Sequence, residues 1–326
     1  MTITLLNASR VTELLPMPQA IQAMAQAMAA LSEGKGTVPP RMGCALPGGK
    51  GSMGLMPGAV VVPATAGAKL ATLMPHNPAA GRAAIQAVVC LFDPDTGALS
   101  AILEGASLTR LRTAAVSGLA TRLLAREDAA THGVFGCGAL LPWHIDAICA
   151  ARPSVSRTLI WGRDLARTQA AARREAQRTG REILAVEDAS QAASCDVVST
   201  ITSAKTPVLL GKWLRPGTHV NLVGAHRSTD RETDTEAITR SRVFVDQRDG
   251  ALREAGELLI PIAEGAYAAD RIAGELGEVE LRRVRGRQQH EDITLFKSLG
   301  VIVQDLIAAR TIVERAAGRA ATQVEW

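Results

Sequence analysis

Apolar positions recur at two spacings along the chain, and the change of spacing divides it. In the first third, short apolar runs at residues 3–6, 42–46, 52–56, 67–72, 85–92 and 100–103 are parted by turn residues such as Pro47-Gly48-Gly49 and Asp93-Pro94-Asp95-Thr96-Gly97. Runs of this length between glycine and proline breaks predict strands, here of a mostly antiparallel sheet. One long helix is expected at 16–31, rich in Ala, Met and Gln and stopped by Gly34 and Gly36. Pro39-Pro40-Arg41 should run extended, because proline disfavours helix in the residue before it. After residue 113 the spacing changes. Ala115/Val116, Leu119/Ala120 and Leu123/Leu124 recur every four positions, which is one buried helix face. Beyond the charged break Arg126-Glu127-Asp128, strand candidates at 133–135, 158–161, 183–186, 196–201, 218–223 and 243–245 alternate with helices such as 164–179. Such alternation predicts an α/β unit with a parallel sheet. A last helix, from about 300 to 317, carries Val301, Val303, Leu306, Ile307, Ile312 and Val313. The expected organisation is an α+β domain over 1–113, an α/β domain over 114–300, and a C-terminal helical segment, 301–326, packing back on the first domain.

The junction at 133–163 has chemical content. An apolar strand ends in Gly136-Cys137-Gly138, a helical pattern starts at Ala139, and a second strand ends in Gly162-Arg163. This order is the start of a Rossmann-type doubly wound dinucleotide fold. Gly136 would make the tight turn, Gly138 would let a pyrophosphate approach the backbone, and the helix N-terminus would face its charge. Ala139 and Leu140 continue that turn. Leu141 stands where the fingerprint has a third small residue, and its bulk is expected to loosen the helix or push it outward. Arg163 at the end of the second strand suits a 2′-phosphate, so NADP(H) is the preferred cofactor and NAD(H) the alternative. Asp164 reads as the N-cap of the next helix.

Composition narrows the class. The 326 residues are 47% apolar and 21% charged, with a net charge of +4. That mixture offers no electrostatic footprint for nucleic acid; the basic run Arg282-Arg283-Val284-Arg285-Gly286-Arg287 reads as a solvated loop. The five cysteines are scattered without metal-ligand spacing, so no metal site is expected, and free thiols suit a reducing compartment. The N-terminus lacks the pattern of a signal peptide, and no apolar stretch has the length of a membrane span. A cytoplasmic protein without a membrane partner is expected.

Ordered matches along nearly the whole chain resemble the ornithine cyclodeaminase/mu-crystallin family. They include Arg41, Leu55-Met56-Pro57, Lys69, Leu91-Phe92-Asp93, Leu111-Arg112-Thr113-Ala114-Ala115, the Gly136 turn, Trp213-Leu214-Arg215-Pro216-Gly217, Val223-Gly224-Ala225, Gly274-Glu275-Leu276-Gly277-Glu278 and Thr294-Leu295-Phe296-Lys297-Ser298. The resemblance implies a Rossmann domain, a discontinuous α+β domain that binds substrate and dimerises, and a homodimer. It implies that Arg41, Lys69 and Arg112 hold a substrate carboxylate, for which a guanidinium fork and an ammonium are suited. Lys69 is also a candidate catalytic group. Arg112, Thr113, Gly162, Asp164, Thr200, Val223, Gly224 and Ser298 join the cofactor candidates. The proton donor is assigned to Asp230, with His226 as the alternative, while Glu232 and Asp234 read as solvated.

The activity so implied is NAD(P)H-dependent reduction of a C=N bond next to a carboxylate, in a cyclic imino acid or in an imine of a keto acid and an amine. Ornithine cyclodeaminase or alanine dehydrogenase is the alternative enzyme, and a weakly catalytic NADPH-binding protein like mu-crystallin is the alternative of another class. Family members commonly have Gln-Ala where this chain has Leu140-Leu141, and some have a cofactor-contacting Thr at Ala84. Residues 50–56 contain no acidic side chain to pair with the distal ammonium of ornithine, and burying that charge alone is costly.

Overall fold

The computed structural model describes residues 2–317 and 322–325, apart from the side chain of Pro78. The chain divides into two compact units, one of residues 1–112 with 301–326 and one of residues 113–300.

The first unit opens with β1 (Thr2–Leu6), α1 (Ala8–Leu14) and α2 (Met17–Ser32). Prolines at 16 and 18 suit the start of α2, where N–H groups have no helical partner anyway. Its buried stripe is Ala20, Met24, Ala27, Met28 and Leu31. Strands β2 (Gly36–Thr37), β3 (Met42–Ala45), β4 (Ser52–Val60), β5 (Thr65–Leu73), β6 (Ile85–Phe92) and β7 (Leu99–Glu104) follow. Pairing from β4 through β7 is antiparallel, whereas β1 lies parallel to β7. Helix α3 (Gly105–Leu124) then carries the chain past Arg112.

The second unit continues with β8 (Thr131–Phe135), α4 (Leu141–Ala151), β9 (Arg157–Trp161), α5 (Leu165–Thr179), β10 (Glu182–Ala185), α6 (Ala189–Ala193), β11 (Val197–Thr200) and β12 (His219–Leu222). Beyond these lie α7 (Thr235–Thr239), β13 (Ser241–Val245), α8 (Arg248–Glu254), α9 (Gly256–Ala263), β14 (Gly274–Glu275), α10 (Leu276–Glu280) and β15 (Ile293–Lys297). The sheet runs β10-β9-β8-β11-β12-β15-β13-β14, and all its pairs are parallel. This is the Rossmann-type α/β fold. From β8 the chain winds outward through β9 and β10, then crosses back to β11 on the other side of β8. That reversal is where open α/β sheets bind ligands, beyond the carboxyl ends of the strands.

Strand β15 escaped the sequence reading. It lies between β12 and β13 and is buried along its whole length, so its residues show no alternation with exposed polar positions.

The chain then returns to the first unit. Helix α11 (Ile302–Ala316) packs on α2 and on β4, β5 and β6. The segment 301–326 is not helical throughout: β16 (Thr322–Glu325) pairs antiparallel with β1. Residues 318–321 and 326 of that expectation, like Met1 of the first domain, lie outside the described residues. Among the described residues no helix is long and apolar enough to cross a membrane.

Candidate functional site

In the first unit, Lys69 sits mid-strand on β5, paired with Met56 of β4 and Val89 of β6. Its side chain turns to the face covered by α11, and the residue is 4% exposed. The ammonium donates to both carboxylate oxygens of Asp305, at 3.0 and 2.9 Å. Arg112 reaches the same carboxylate through Nε at 3.3 Å and donates from Nη1 to Oε1 of Gln304 at 2.9 Å. Asp305 and Gln304 belong to the first turn of α11, where the helix dipole favours negative charge.

The electrostatics of this cluster are unbalanced. Burial pulls the Lys69 pKa down to about 8; Asp305 opposes that, while Arg112 and Arg41 add to it. For Asp305 burial works against ionisation, but Arg112 and Lys69 outweigh it and hold the carboxyl below the usual carboxylate range. Arg41, just before β3, is exposed, and its charge is felt at Lys69. Two buried cations thus share one carboxylate, and the surplus charge suits an incoming carboxylate. Sequence reasoning missed Asp305. Its one signal was an acidic residue among Val303, Leu306 and Ile307 in an otherwise apolar stripe.

In the second unit, the turns after β8, β9 and β11 border a cavity of about 600 Å³. Residues 136–140, 161–164, Arg167, 201–204 and Val208 line it. Gly136 has φ 114°, a left-handed conformation that favours glycine. A Cβ on Gly138 would meet nothing within 4 Å, so that side of the turn is open to a ligand. Arg163 is exposed on the cavity wall, and Asp164 caps α5 by accepting from the Arg167 amide at 3.0 Å. The structure therefore brings Gly136, Gly138, Ala139, Leu140, Gly162, Arg163 and Asp164 to one crevice. A dinucleotide's phosphates fit the open glycine turn.

The expectation for Leu141 is corrected. Its side chain is fully buried, in one cluster with Val134, Ile145 and Ile160, so its bulk is part of the core under α4. The remaining cofactor candidates do not line the cavity. Thr113 is mostly buried on α3, and its carbonyl accepts from Ser117. The Thr200 hydroxyl donates to Glu232 at 2.8 Å. Val223 packs in the core, Gly224 donates its amide to Glu232, and the Ser298 amide donates to the Leu222 carbonyl at 2.9 Å.

The loop after β12 carries both proton-donor candidates. His226 is exposed, with Nδ1 3.2 Å from the Gly224 carbonyl oxygen. Asp230 is half-buried and accepts from the Thr229 hydroxyl at 2.9 Å. Two neighbours differ from their solvated reading. Glu232 is fully buried beneath this loop, because backbone amides and hydroxyls replace its water. Asp234 caps α7 through the Ala237 amide at 3.0 Å and accepts from the Gly211 amide at 2.8 Å. Among the described residues no group of His, Cys, Asp or Glu could hold a metal ion.

Comparison with known proteins identifies the family. The model of the ornithine cyclodeaminase/mu-crystallin family matches residues 1–320. The chain belongs to the ornithine cyclodeaminase/mu-crystallin family. Within the ornithine cyclodeaminase/mu-crystallin family, it is 38% identical over 255 residues to Delta(1)-pyrroline-2-carboxylate reductase of Paracoccus denitrificans, covering 77% of this chain and 80% of that one. It also resembles the solved Delta(1)-pyrroline-2-carboxylate reductase of Thermococcus litoralis, in complex with NADH and L-proline. There the TM-score is 0.94 and the identity 33%, over 98% of this chain and 100% of that one. An archaeal alanine dehydrogenase dimer with bound NAD gives a TM-score of 0.92 at 26% identity, over the whole of both chains.

Proposed function

We propose that this member of the family reduces Delta(1)-pyrroline-2-carboxylate to proline. More broadly, it is an NAD(P)H-dependent oxidoreductase that reduces a C=N bond next to a carboxylate. The observation that carries the reading is the cationic surplus around Asp305. Lys69 and Arg112 are buried and oriented by that carboxylate, with the charge of Arg41 close by. Asp305 and Gln304 hold Lys69 and Arg112 in place before substrate arrives, so less ordering remains to be done on binding. Together with Asp305, the α-carboxylate of a cyclic imino acid would balance the two buried cations Lys69 and Arg112.

The cofactor, when bound, supplies a hydride to the imine carbon. The imine nitrogen must gain a proton, and Asp230 is the assigned donor, with His226 as the alternative. Arg163 on the crevice wall supports a preference for NADPH over NADH. The absence of an acidic side chain in residues 50–56 weighs against ornithine as substrate.

The first unit is assigned substrate binding and dimerisation, with the second assigned the cofactor. Side chains alternate across a strand, so the pairing register sets Met42, Met53, Leu70 and Phe92 on the sheet face opposite Lys69. All four are exposed, at 37–56%, which supports burial of that face in a homodimer. Light scattering at micromolar concentration should give twice the chain mass; a monomer, with or without cofactor, would exclude this assembly. Five free cysteines support a reducing compartment, the cytoplasm.

The test of function is cofactor oxidation with Delta(1)-pyrroline-2-carboxylate, its six-membered homologue, pyruvate with ammonia, and ornithine as parallel substrates. Turnover fastest with a cyclic imino acid, yielding the cyclic amino acid, is expected. Turnover of pyruvate with ammonia but of neither cyclic imine would overturn the proposal.

A further inference from the structure

The buried carboxylate of Glu232 has no part in the chemistry above, yet it joins two strand ends that matter to it. Its Oε1 accepts from the Thr202 amide and the Thr202 hydroxyl, both at 2.7 Å. Its Oε2 accepts from the Thr200 hydroxyl at 2.8 Å, the Gly224 amide at 2.6 Å and the Ala225 amide at 3.3 Å. Thr200 ends β11 and Thr202 lies just beyond it, while Gly224 and Ala225 follow β12, the adjacent parallel strand. Thr202 lines the crevice, and Ala225 immediately precedes His226. The approach is so close that a Cβ on Gly224 would lie 2.0 Å from the Thr202 carbonyl oxygen and 2.7 Å from Glu232 Oε1.

Two further charges complete the arrangement. Lys297 Nζ lies 3.1 Å from Glu257 Oε2 and donates to the Ala225 carbonyl, while Glu257 Oε1 accepts from the Glu232 amide at 3.4 Å. The side chains of Glu232, Glu257 and Lys297 are all fully buried. Five donors converging on one carboxyl group are the environment of an ionised carboxylate, which only accepts. Burial raises the Glu232 pKa, Lys297 and Thr202 oppose that rise, and Glu257 adds to it.

We infer that Glu232 is a positioning residue. Its carboxylate presets the main chain of Thr202 and of 224–225, and with it the crevice wall and the start of the proton-donor loop, before NAD(P)H binds. This rests on the proposed cofactor reading. The alternative is a scaffold contact that supports folding and leaves binding untouched.

The two are separated by titrating NADH and NADPH into the unmodified protein and into Glu232→Gln, with thermal melts alongside. A glutamine can still accept from Thr202, but its NH2 faces the Gly224 amide, donor against donor. Cofactor Kd should rise at least about tenfold, with KM for the imino acid little changed. In the unmodified protein, cofactor affinity should fall as pH drops and Glu232 takes up a proton, and the variant should lack that component. His226, Glu257 and Lys297 are common to both proteins, so the difference isolates Glu232.

An unchanged Kd in Glu232→Gln, with or without a lower melting temperature, would overturn the inference. Failure of the unmodified protein to bind either cofactor would instead overturn the functional reading. If the variant does not fold, amide hydrogen exchange of the unmodified protein decides. Thr202 and Gly224 protected equally with and without NADH would support presetting. Protection that appears only with NADH would refute it.

Discussion

Replacing Asp305 by Asn tests the proposed carboxylate-binding cluster without touching a residue assigned to hold substrate. Asparagine keeps the shape of the side chain and removes its charge. Asp305 accepts three charge-assisted bonds, two from Lys69 at 3.0 and 2.9 Å and one from Arg112 at 3.3 Å, at a position with no exposure. Removing one partner of a buried ion pair costs about 3–5 kcal/mol, because the other charges stay buried without it. At about 2–4 °C per kcal/mol, the melting temperature should fall by roughly 6–20 °C.

The same change acts on the Lys69 proton. Asp305 raises the Lys69 pKa against burial, which has already brought it to about 8, so its loss lowers that pKa further. A neutral amine attracts a carboxylate less, so KM for the imino acid should rise about tenfold near pH 8, as expected for a loss of about 1.4 kcal/mol. The unmodified enzyme should show the related trend, with KM rising as pH passes above about 8 and Lys69 loses its charge. The linkage sign also follows. A folded pKa below the ordinary 10.5 means that the unfolded chain holds this proton up to higher pH, so the contribution of Lys69 to stability improves between about pH 8 and 10.5. The assays are thermal melts and steady-state kinetics from pH 6.5 to 9.5. A variant that melts with the unmodified protein and keeps its KM at every pH would refute the role of Asp305.

Other perturbations give separable outcomes. Arg112→Lys keeps the charge but loses the planar fork, and losing a charge-assisted bond of about 1.5–3 kcal/mol should lower kcat/KM ten- to a hundredfold; the check is kinetics beside a cofactor titration, which should barely change. Arg163→Asp should abolish a preference for NADPH over NADH, and equal Kd values for both cofactors in the unmodified protein would already contradict that preference. Asp230→Asn should keep cofactor binding and lose about 10²–10⁴-fold in turnover; if His226→Ala is the inactive variant and Asp230→Asn is healthy, the donor is His226. His132, His144 and His219 are buried, and burial chiefly lowers their pKa values from 6.5 to about 3, 4 and 3. They favour the fold above about pH 6.5, and that stability should be lost as pH falls toward 3–4. Urea unfolding at pH 7 and pH 5 would show it as a lower midpoint at pH 5, and an identical midpoint would count against it.

Much of the architecture was legible because it is written in local periods. The run 85–92 is a strand with those bounds, the four-residue spacing from Ala115 to Leu124 lies within α3, and the glycine turn at 136–138 joins β8 to α4. Asp164 could be read as a cap because capping is settled within three residues. What lay hidden depends on charges brought together from afar. Lys69 and Asp305 are 236 positions apart, and nothing near either residue announces the other. Read locally, Asp305 is an acidic residue in the first turn of a helix, as the dipole favours anywhere. Glu232 looked solvated because carboxylates in polar loops usually are. Only the packing of β11 against β12 supplies the five donors that let it stay buried. Sequence periodicity decides which faces are apolar and hence which elements form. Whether a charge inside them is tolerated depends on desolvation against its partners, and those partners exist only once the tertiary structure has assembled.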